Sequence, residues 1–197
     1  MKKIILASNS PRRKELLQKY GINFTIKTSK CEEINSKQYD EKNVIYNSKT
    51  KASAVIDEKM DDNVIVIAAD TVVILDSVCL VKPQNIVEAI FMLKKLSGKT
   101  HKVTTSHTII DTKTKKEITK LSNSFVTFRK LSLYEIINYV LTKKPLDKAG
   151  SYGIQDFVTI DNYKNPPKES FISKIEGSYY NIVGFDIDLV IDMLQNF

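Results

Sequence analysis

The chain has 197 residues, which suits one domain over residues 1–197 that buries about 70% of its unfolded surface. It has no run of about 20 apolar residues, no apolar leader and only two distant cysteines, so we expect a cytoplasmic protein with reduced thiols and no membrane partner. Its net charge of +7 comes from scattered lysines without a recognisable nucleic-acid-binding motif, so we expect no nucleic-acid partner.

The first half of the chain alternates between strand and helix patterns. Apolar runs and alternating residues predict strands at residues 3–7, 22–26, 64–69, 71–75 and 78–81. Helical spacing predicts helices at residues 11–20 and 41–57, with Gly21 ending the first of them. The last two strands flank Asp76-Ser77, a predicted chain reversal.

The second half of the chain combines helices with a long hairpin. Helices are predicted at residues 85–96 and 133–140, and hairpin strands at 103–110 and 118–129. Residues 156–174 contain Asn165-Pro166-Pro167 and are predicted to form an extruded loop. The order of these elements indicates an α/β protein with a mixed sheet flanked by helices.

The turn between the first strand and the first helix has the features of a phosphate site. Ser10 suits the N-cap and Pro11 the first helical position, where a missing N–H costs nothing. The free amides of that turn and the helix dipole attract anions. Together with the hydroxyls of Ser8 and Ser10, the guanidinium groups of Arg12 and Arg13 would hold several phosphates of a triphosphate.

Three motifs together resemble the Maf family of nucleoside triphosphate pyrophosphatases. They are SNSPRR at residues 8–13, ADTV at 69–72 and DKAGSYGIQ at 147–155, and further matches follow in family order over nearly the whole chain. The resemblance implies an elongated mixed sheet with two lobes around a nucleotide cleft. It also implies a homodimer that hydrolyses nucleoside triphosphates to the monophosphate and pyrophosphate.

The resemblance implies that two carboxylates serve the reaction. It makes Asp70, which follows the apolar run 64–69, the general base that activates water, close to a divalent metal such as Mg²⁺ or Mn²⁺. Glu33 is the expected second metal ligand, because Mg²⁺ usually takes only one or two carboxylates from protein. The neighbouring Glu32 stays an alternative to Glu33 for this role.

Two lysines resemble family residues that follow the charge of the departing pyrophosphate. Lys82 precedes Pro83, and Lys51 lies in a Lys-Ala pair, with Lys49 as an alternative candidate. His101 also matches the family pattern, but a lone histidine in a strand is more often structural, and we assign it no catalytic step.

The choice of base is implied by three positions. Relatives that act on dTTP and UTP resemble this chain in having Arg12, Thr71 and Gln155, and an amide such as Gln155 suits the edge of uracil or thymine. The chain departs from the family at Asp156, where glycine is usual, and at residues 184–186, where Gly-Leu-Pro is usual.

Two other functions stay open at this point. A pyrophosphatase for 7-methyl-GTP or a broad set of modified nucleotides would keep the chemistry and change the base. A non-catalytic regulator of septum formation and cell division would bind partners instead, but such a protein would not need Asp70, Glu33 and Lys82 together.

Overall fold

A computed structural model describes residues 2–28, 30–57 and 63–197. Seven strands form one sheet: β1 (Lys3–Leu6), β2 (Thr25–Ile26), β3 (Val64–Leu75), β4 (Val78–Leu80), β5 (Thr100–Asp111), β6 (Glu117–Phe128) and β7 (Ile172–Glu176). The described helices are α1 (Pro11–Lys19), α2 (Glu41–Ser53), α3 (Ile86–Leu96), α4 (Leu133–Leu141), α5 (Tyr179–Val183) and α6 (Ile187–Leu194).

The sheet is mixed, as the sequence predicts. Its strands follow the order β2-β1-β3-β5-β6-β7, with β4 attached to β3 outside this path. The pairs β1–β2 and β1–β3 are parallel, and all other described pairs are antiparallel. The expectation of an α/β protein with a mixed sheet is therefore confirmed.

One edge of β3 changes partner along its length. The parallel partner β1 ends where Leu6 faces Ile67, and the antiparallel partner β4 begins where Leu80 faces Val73. Between these two registers, no described strand pairs with residues 68–72 on that edge, which leaves a gap beside β3. Open α/β sheets bind ligands beyond the carboxyl ends of their parallel strands, and β1 ends at this gap.

The two faces of the sheet are covered by different helices. Alternate residues of β3, such as Ile65 and Ile67, join the large core formed with α1, α3, α4, α5 and α6. The intervening residues, such as Val66 and Ala68, pack with Ala52 of α2 in a smaller core on the other face. Successive side chains of β3 therefore reach opposite sides of the sheet.

Several predicted boundaries are wrong. The predicted strands 64–69 and 71–75 are one strand, because the backbone of Asp70 continues the pairing and faces Ser106 of β5. The predicted strand 22–26 shrinks to Thr25–Ile26, since only the last two residues of β1 face it. The second helix ends at Ser53 instead of residue 57.

The segment 156–174 is not simply extruded. The ring of Phe157 stacks on that of Phe171 with centroids 4.4 Å apart, and Val158 is buried. Tyr163 contacts Tyr179, and the last residues of the segment enter β7. These aromatic contacts attach the segment to the main core.

The turn predictions are confirmed where φ is positive. Gly21 follows the first helix with a φ of +69°, and Asp76 and Ser77 reverse the chain with φ values of 51° and 65°. In the described ranges, no helix combines the length and apolar character needed to cross a bilayer.

Candidate active site

Two carboxylates meet at one lysine on the face of β3 that packs against α2. Lys51, on α2, donates to Asp70 Oδ1 over 2.6 Å, and its Nζ lies 2.7 Å from Glu33 Oε2. The side chain of Asp70 is only 11% exposed, whereas that of Glu33 is 38% exposed. Of the alternatives left open by the sequence, Glu33 and Lys51 are the residues in this network, and Lys49 pairs instead with Glu117.

Asn47 completes the network around Asp70. It lies one helical turn before Lys51 on α2, so both side chains reach the same strand. Asn47 Nδ2 donates to Asp70 Oδ2 over 3.2 Å, and Asn47 Oδ1 accepts from the amide of Ile34 over 2.8 Å. No motif in the sequence marks Asn47 as a site residue. The sequence shows only that a polar side chain lies four positions before Lys51.

Arg13 lies on the other side of β3 from the Asp70 network and is partly buried. Its guanidinium donates to the carbonyl oxygens of Ala69 over 2.8 Å and Gly184 over 3.0 Å. It also donates to the hydroxyls of Ser8 over 3.1 Å and Thr71 over 3.3 Å. Burial lowers the pKa of Arg13 to about 10, although the Asp70 carboxylate opposes this shift, so Arg13 keeps its charge at neutral pH.

The first turn of α1 is built as predicted, with one difference. Ser10 is the N-cap residue and Pro11 the first helical residue, but the Ser10 side chain makes no capping hydrogen bond. The hydroxyl of Ser8 instead accepts from the Ser10 amide over 3.2 Å. Arg12 pairs with Asp147 over 3.0 Å and therefore ties this turn to the DKAGSYGIQ segment.

Lys82 lies two residues after β4, whose pairing with β3 ends where Leu80 faces Val73. The described contacts do not join Lys82 to the network of Asp70, Lys51 and Glu33. The side chain of Lys82 is exposed and borders an open groove with Val81, Val87 and Phe91. This groove has a volume of about 500 Å³.

Thr71 and Gln155 are not part of the Asp70 network. The Thr71 hydroxyl donates to Gly184 O over 3.2 Å and lies with Arg13 on the other side of β3. Gln155 is exposed in a short turn, Ile154–Asp156. Tyr139 makes hydrogen bonds with the residue before this turn and with its last residue. Tyr139 donates to Asp156 over 2.6 Å and accepts from the amide of Gly153 over 3.1 Å.

Both histidines are buried and structural in their contacts. His101 Nε2 bonds to the hydroxyl of Tyr152 over 2.8 Å, and His107 Nε2 accepts from the amide of Asp186 over 2.9 Å. Burial lowers the pKa of each to about 3, so both are neutral at physiological pH.

The carboxylate pair fits a divalent metal of the hard, oxygen-seeking kind. Asp70 and Glu33 face each other across the one ammonium group of Lys51, so their oxygen atoms already converge on a cation. The described part of the chain holds no cluster of three or more His, Cys, Asp or Glu side chains arranged for a metal. Two carboxylates match Mg²⁺, which usually completes its shell with water and substrate phosphate.

The fold places the chain in a known structural class. It resembles the solved structure of the Staphylococcus aureus Ham1 protein, with a TM-score of 0.52 and 15% identity over 99% of both chains. It also resembles a HAM1 protein from Coxiella burnetii, with a TM-score of 0.53 and 14% identity over the whole of both chains. At these identities the likeness establishes the fold alone.

The sequence identifies the family. A family model described as "Maf-like protein" matches residues 3–197, and the chain belongs to this family. Relatives named dTTP/UTP pyrophosphatase include one from Alkaliphilus oremlandii, 41% identical over all of this chain and 96% of its own length. Another, from Bacillus cereus, is 43% identical over all of this chain and 91% of its own length.

Proposed function

We propose that this protein hydrolyses nucleoside triphosphates, with dTTP, UTP and related or modified pyrimidine nucleotides as substrates, to a nucleoside monophosphate and pyrophosphate. The observation that carries this proposal is the position of Arg13, which bonds to Ala69 and Thr71, the two neighbours of Asp70. Arg13 therefore links the phosphate-binding turn, through Ser8, to the segment of β3 that carries Asp70. The names of the relatives at about 40% identity support the same activity.

The α1 turn binds the phosphates. Its amides, without a side-chain cap, and the hydroxyls of Ser8 and Ser10 offer hydrogen-bond donors to phosphate oxygens. Arg12, whose side chain is 24% exposed, leaves Asp147 to bind the incoming phosphate. Arg13 stays in place, holds Ser8 and contributes its charge from behind the turn.

Glu33 and Asp70 are the residues that would hold a divalent metal, Mg²⁺ or Mn²⁺. When bound, the metal neutralises charge on the phosphate oxygens and thereby favours attack by water. Lys51 already sits between both carboxylates and keeps them in place while the site is being filled. Its ammonium then balances negative charge as the reaction proceeds.

Asp70 acts as the general base. It takes a proton from a water molecule, the water oxygen bonds to phosphorus, and the bridging P–O bond between the α- and β-phosphates breaks. The pyrophosphate leaves with the electron pair of that bond, and Lys82 at the end of β4 stabilises its charge. The rigid backbone of β3, paired with β5 at Asp70, keeps the base in one position.

The pyrimidine preference rests on Arg12, Thr71 and Gln155. Gln155 is exposed, so its amide is free of the core and available to the edge of a base. Thr71 acts from behind the site through Arg13 and Gly184. A 7-methyl-GTP or broad modified-nucleotide specificity is the competing outcome of the experiment below.

We also propose the domain organisation, the oligomeric state and the location of the protein. We propose a single domain over residues 1–197 whose two lobes enclose the nucleotide, acting as a homodimer in the cytoplasm. The substrate is its partner; the proposal includes no nucleic-acid or membrane partner.

A panel of nucleoside triphosphates tests the function. The purified protein is incubated with dTTP, UTP, dCTP, GTP and 7-methyl-GTP, each with Mg²⁺ or Mn²⁺, and pyrophosphate is measured by a coupled phosphate assay. We expect the fastest release from dTTP and UTP, with pyrophosphate and monophosphate in equal amounts. Turnover of the methylated purine alone would change the substrate, and no turnover of any nucleotide would favour the non-catalytic regulator.

A further inference from the structure

Asn47 is a buried side chain that joins two segments of the candidate site. It is 4% exposed, and its amide group makes three hydrogen bonds to two other parts of the chain. Asn47 Oδ1 accepts from the Ile34 amide over 2.8 Å, while Nδ2 donates to Ile34 O over 3.2 Å and to Asp70 Oδ2 over 3.2 Å. One side chain thus joins the loop carrying Glu33 to the strand carrying Asp70.

Asn47 and Lys51 divide the oxygens of Asp70 between them. Lys51 donates to Oδ1 and Asn47 to Oδ2, so neither oxygen of this carboxylate lacks a donor from α2. A carboxylate held at both oxygens cannot rotate about its terminal torsion without losing a hydrogen bond. The two donors therefore fix the direction in which Asp70 presents its lone pairs.

The same amide anchors the loop before α2. Residues 32–35 are exposed, and the next backbone contacts of this segment come later, where the Lys37 carbonyl accepts from Cys79 and the Tyr39 amide donates to Ser77. Ile34 directly follows Glu33, so the two hydrogen bonds between Asn47 and the Ile34 backbone fix the position from which the Glu33 side chain extends. Without them, the ion pair with Lys51 would have to order this exposed stretch alone.

We propose that Asn47 is a positioning residue for the reaction, which orients the Asp70 carboxylate and holds Glu33 opposite it. This inference rests on the proposed function, because it gives Asn47 a role only through these two carboxylates. Residues that orient metal-binding or catalytic groups typically change activity about 10–100-fold when they are replaced. Asn47 makes no contact with the phosphate turn in the structure, so its effect falls on turnover.

Two variants separate the two contacts of Asn47. Asn47→Asp keeps an oxygen that accepts from the Ile34 amide but loses the donor to Asp70. Asn47→Leu, of similar volume, loses both. Asn43→Asp and Asn43→Leu are matched controls, because Asn43 lies one turn earlier on α2 and lines the same small cavity as Asn47. Thermal unfolding of all four variants checks that they fold.

The kinetic measurement uses dTTP with Mg²⁺. We expect kcat to fall about 10–100-fold in both Asn47 variants, with KM within about 3-fold of the parent and both Asn43 controls unchanged. A parent protein without turnover would refute the proposed function itself. An active parent whose kcat survives either Asn47 substitution would refute only the positioning of Asp70.

Amide hydrogen exchange in the protein without metal or nucleotide supplies the independent measurement. Because Asn47→Asp keeps the acceptor, the Ile34 amide should exchange as slowly as in the parent, whereas Asn47→Leu should expose it and speed its exchange at least about 10-fold. The Asn43 controls should leave it unchanged. Parent-like exchange of Ile34 in Asn47→Leu would refute the anchoring of the Glu33 loop.

Discussion

The two sides of β3 carry opposite charges in very different surroundings. On one side, Arg13 is partly buried and donates four hydrogen bonds to protein oxygens of three separate segments. On the other side, Asp70, Lys51 and Glu33 form ion pairs that open to solvent at Glu33. One side of the strand is a fixed frame, and the other is a group of charges that can exchange partners.

This difference assigns separate tasks to residues that a motif places next to each other. Arg12 and Arg13 are adjacent in sequence, yet Arg12 forms one partly exposed ion pair, and Arg13 binds two backbone carbonyls and two hydroxyls. A cation held by several hydrogen bonds is costly to move, because each lost bond leaves an acceptor unpaired. Arg13 therefore stabilises the site, whereas Arg12 is free to contact a substrate.

The largest effect is expected on the exchangeable side. Asp70→Asn removes the proton acceptor but keeps a side chain of the same shape, so nucleotide binding should persist while kcat falls about 10²–10⁴-fold. Steady-state kinetics and calorimetric titration with dUTP check the two parts. Undiminished hydrolysis would remove Asp70 from the mechanism.

The next largest effect is expected in the fixed frame. Arg13→Met leaves the buried carbonyls of Ala69 and Gly184 without their donor, at about 1–3 kcal/mol for each unsatisfied group. We expect the free energy of unfolding to fall by about 3 kcal/mol, measured by urea titration. A free energy of unfolding equal to that of the parent would contradict the conclusion that Arg13 stabilises the site.

The buried histidines make the frame sensitive to acid. His107 pairs with Ala69 on the neighbouring strand, and burial lowers its pKa and that of His101 from 6.5 to about 3. Below pH 6.5 these two histidines bind protons in the unfolded chain but stay neutral in the folded chain. Their contribution to the free energy of unfolding is therefore retained above this pH and is lost as the pH decreases. Between pH 6.5 and pH 5.5, urea titrations should show a loss of about 2 kcal/mol for the two residues.

A histidine replacement provides the control for that measurement. His101→Gln keeps a polar group towards Tyr152 but does not titrate, so the loss over the same pH interval should be about half as large. An unchanged pH dependence would show that His101 is not the neutral, buried group described here.

The smallest effect on stability is expected for Arg12. Its ion pair with Asp147 is partly exposed, and such pairs contribute about 0–1 kcal/mol. Arg12→Met should therefore leave urea unfolding almost unchanged but raise KM for dTTP about 10-fold, since a charged hydrogen bond to phosphate is lost. A stability loss as large as that of Arg13→Met would erase the distinction between the two arginines.

The sequence predicted the mixed sheet and most of the acidic and basic residues of the site. The residue types of the strand-to-helix turn indicate Arg13. The resemblance to the Maf family implies Asp70, Glu33 and Lys51, with Glu32 and Lys49 as alternatives. The local pattern did not predict that β3 runs through Asp70, because a polar residue after an apolar run also marks the end of a strand. Pairing with β5, more than 30 residues away, decides this point.

Other features depended on contacts between distant segments. Asn47 contacts Ile34 and Asp70 only in the folded chain. The helical pattern of α2 does not indicate that this asparagine donates a hydrogen bond to a carboxylate distant in sequence. The prolines of segment 156–174 predict an extruded loop. The segment packs instead through the stacked rings of Phe157 and Phe171, and no sequence pattern indicates that these two residues meet.

A crystal structure with a non-hydrolysable α,β-imido analogue of dUTP and Mg²⁺ would show where the triphosphate lies relative to Asp70. We expect phosphate oxygens bound to the first-turn amides of α1 and to Arg12, with the α-phosphorus facing Asp70 in the gap beside β3. An analogue bound with its phosphates away from α1, or with Asp70 remote from the α-phosphorus, would contradict this expectation.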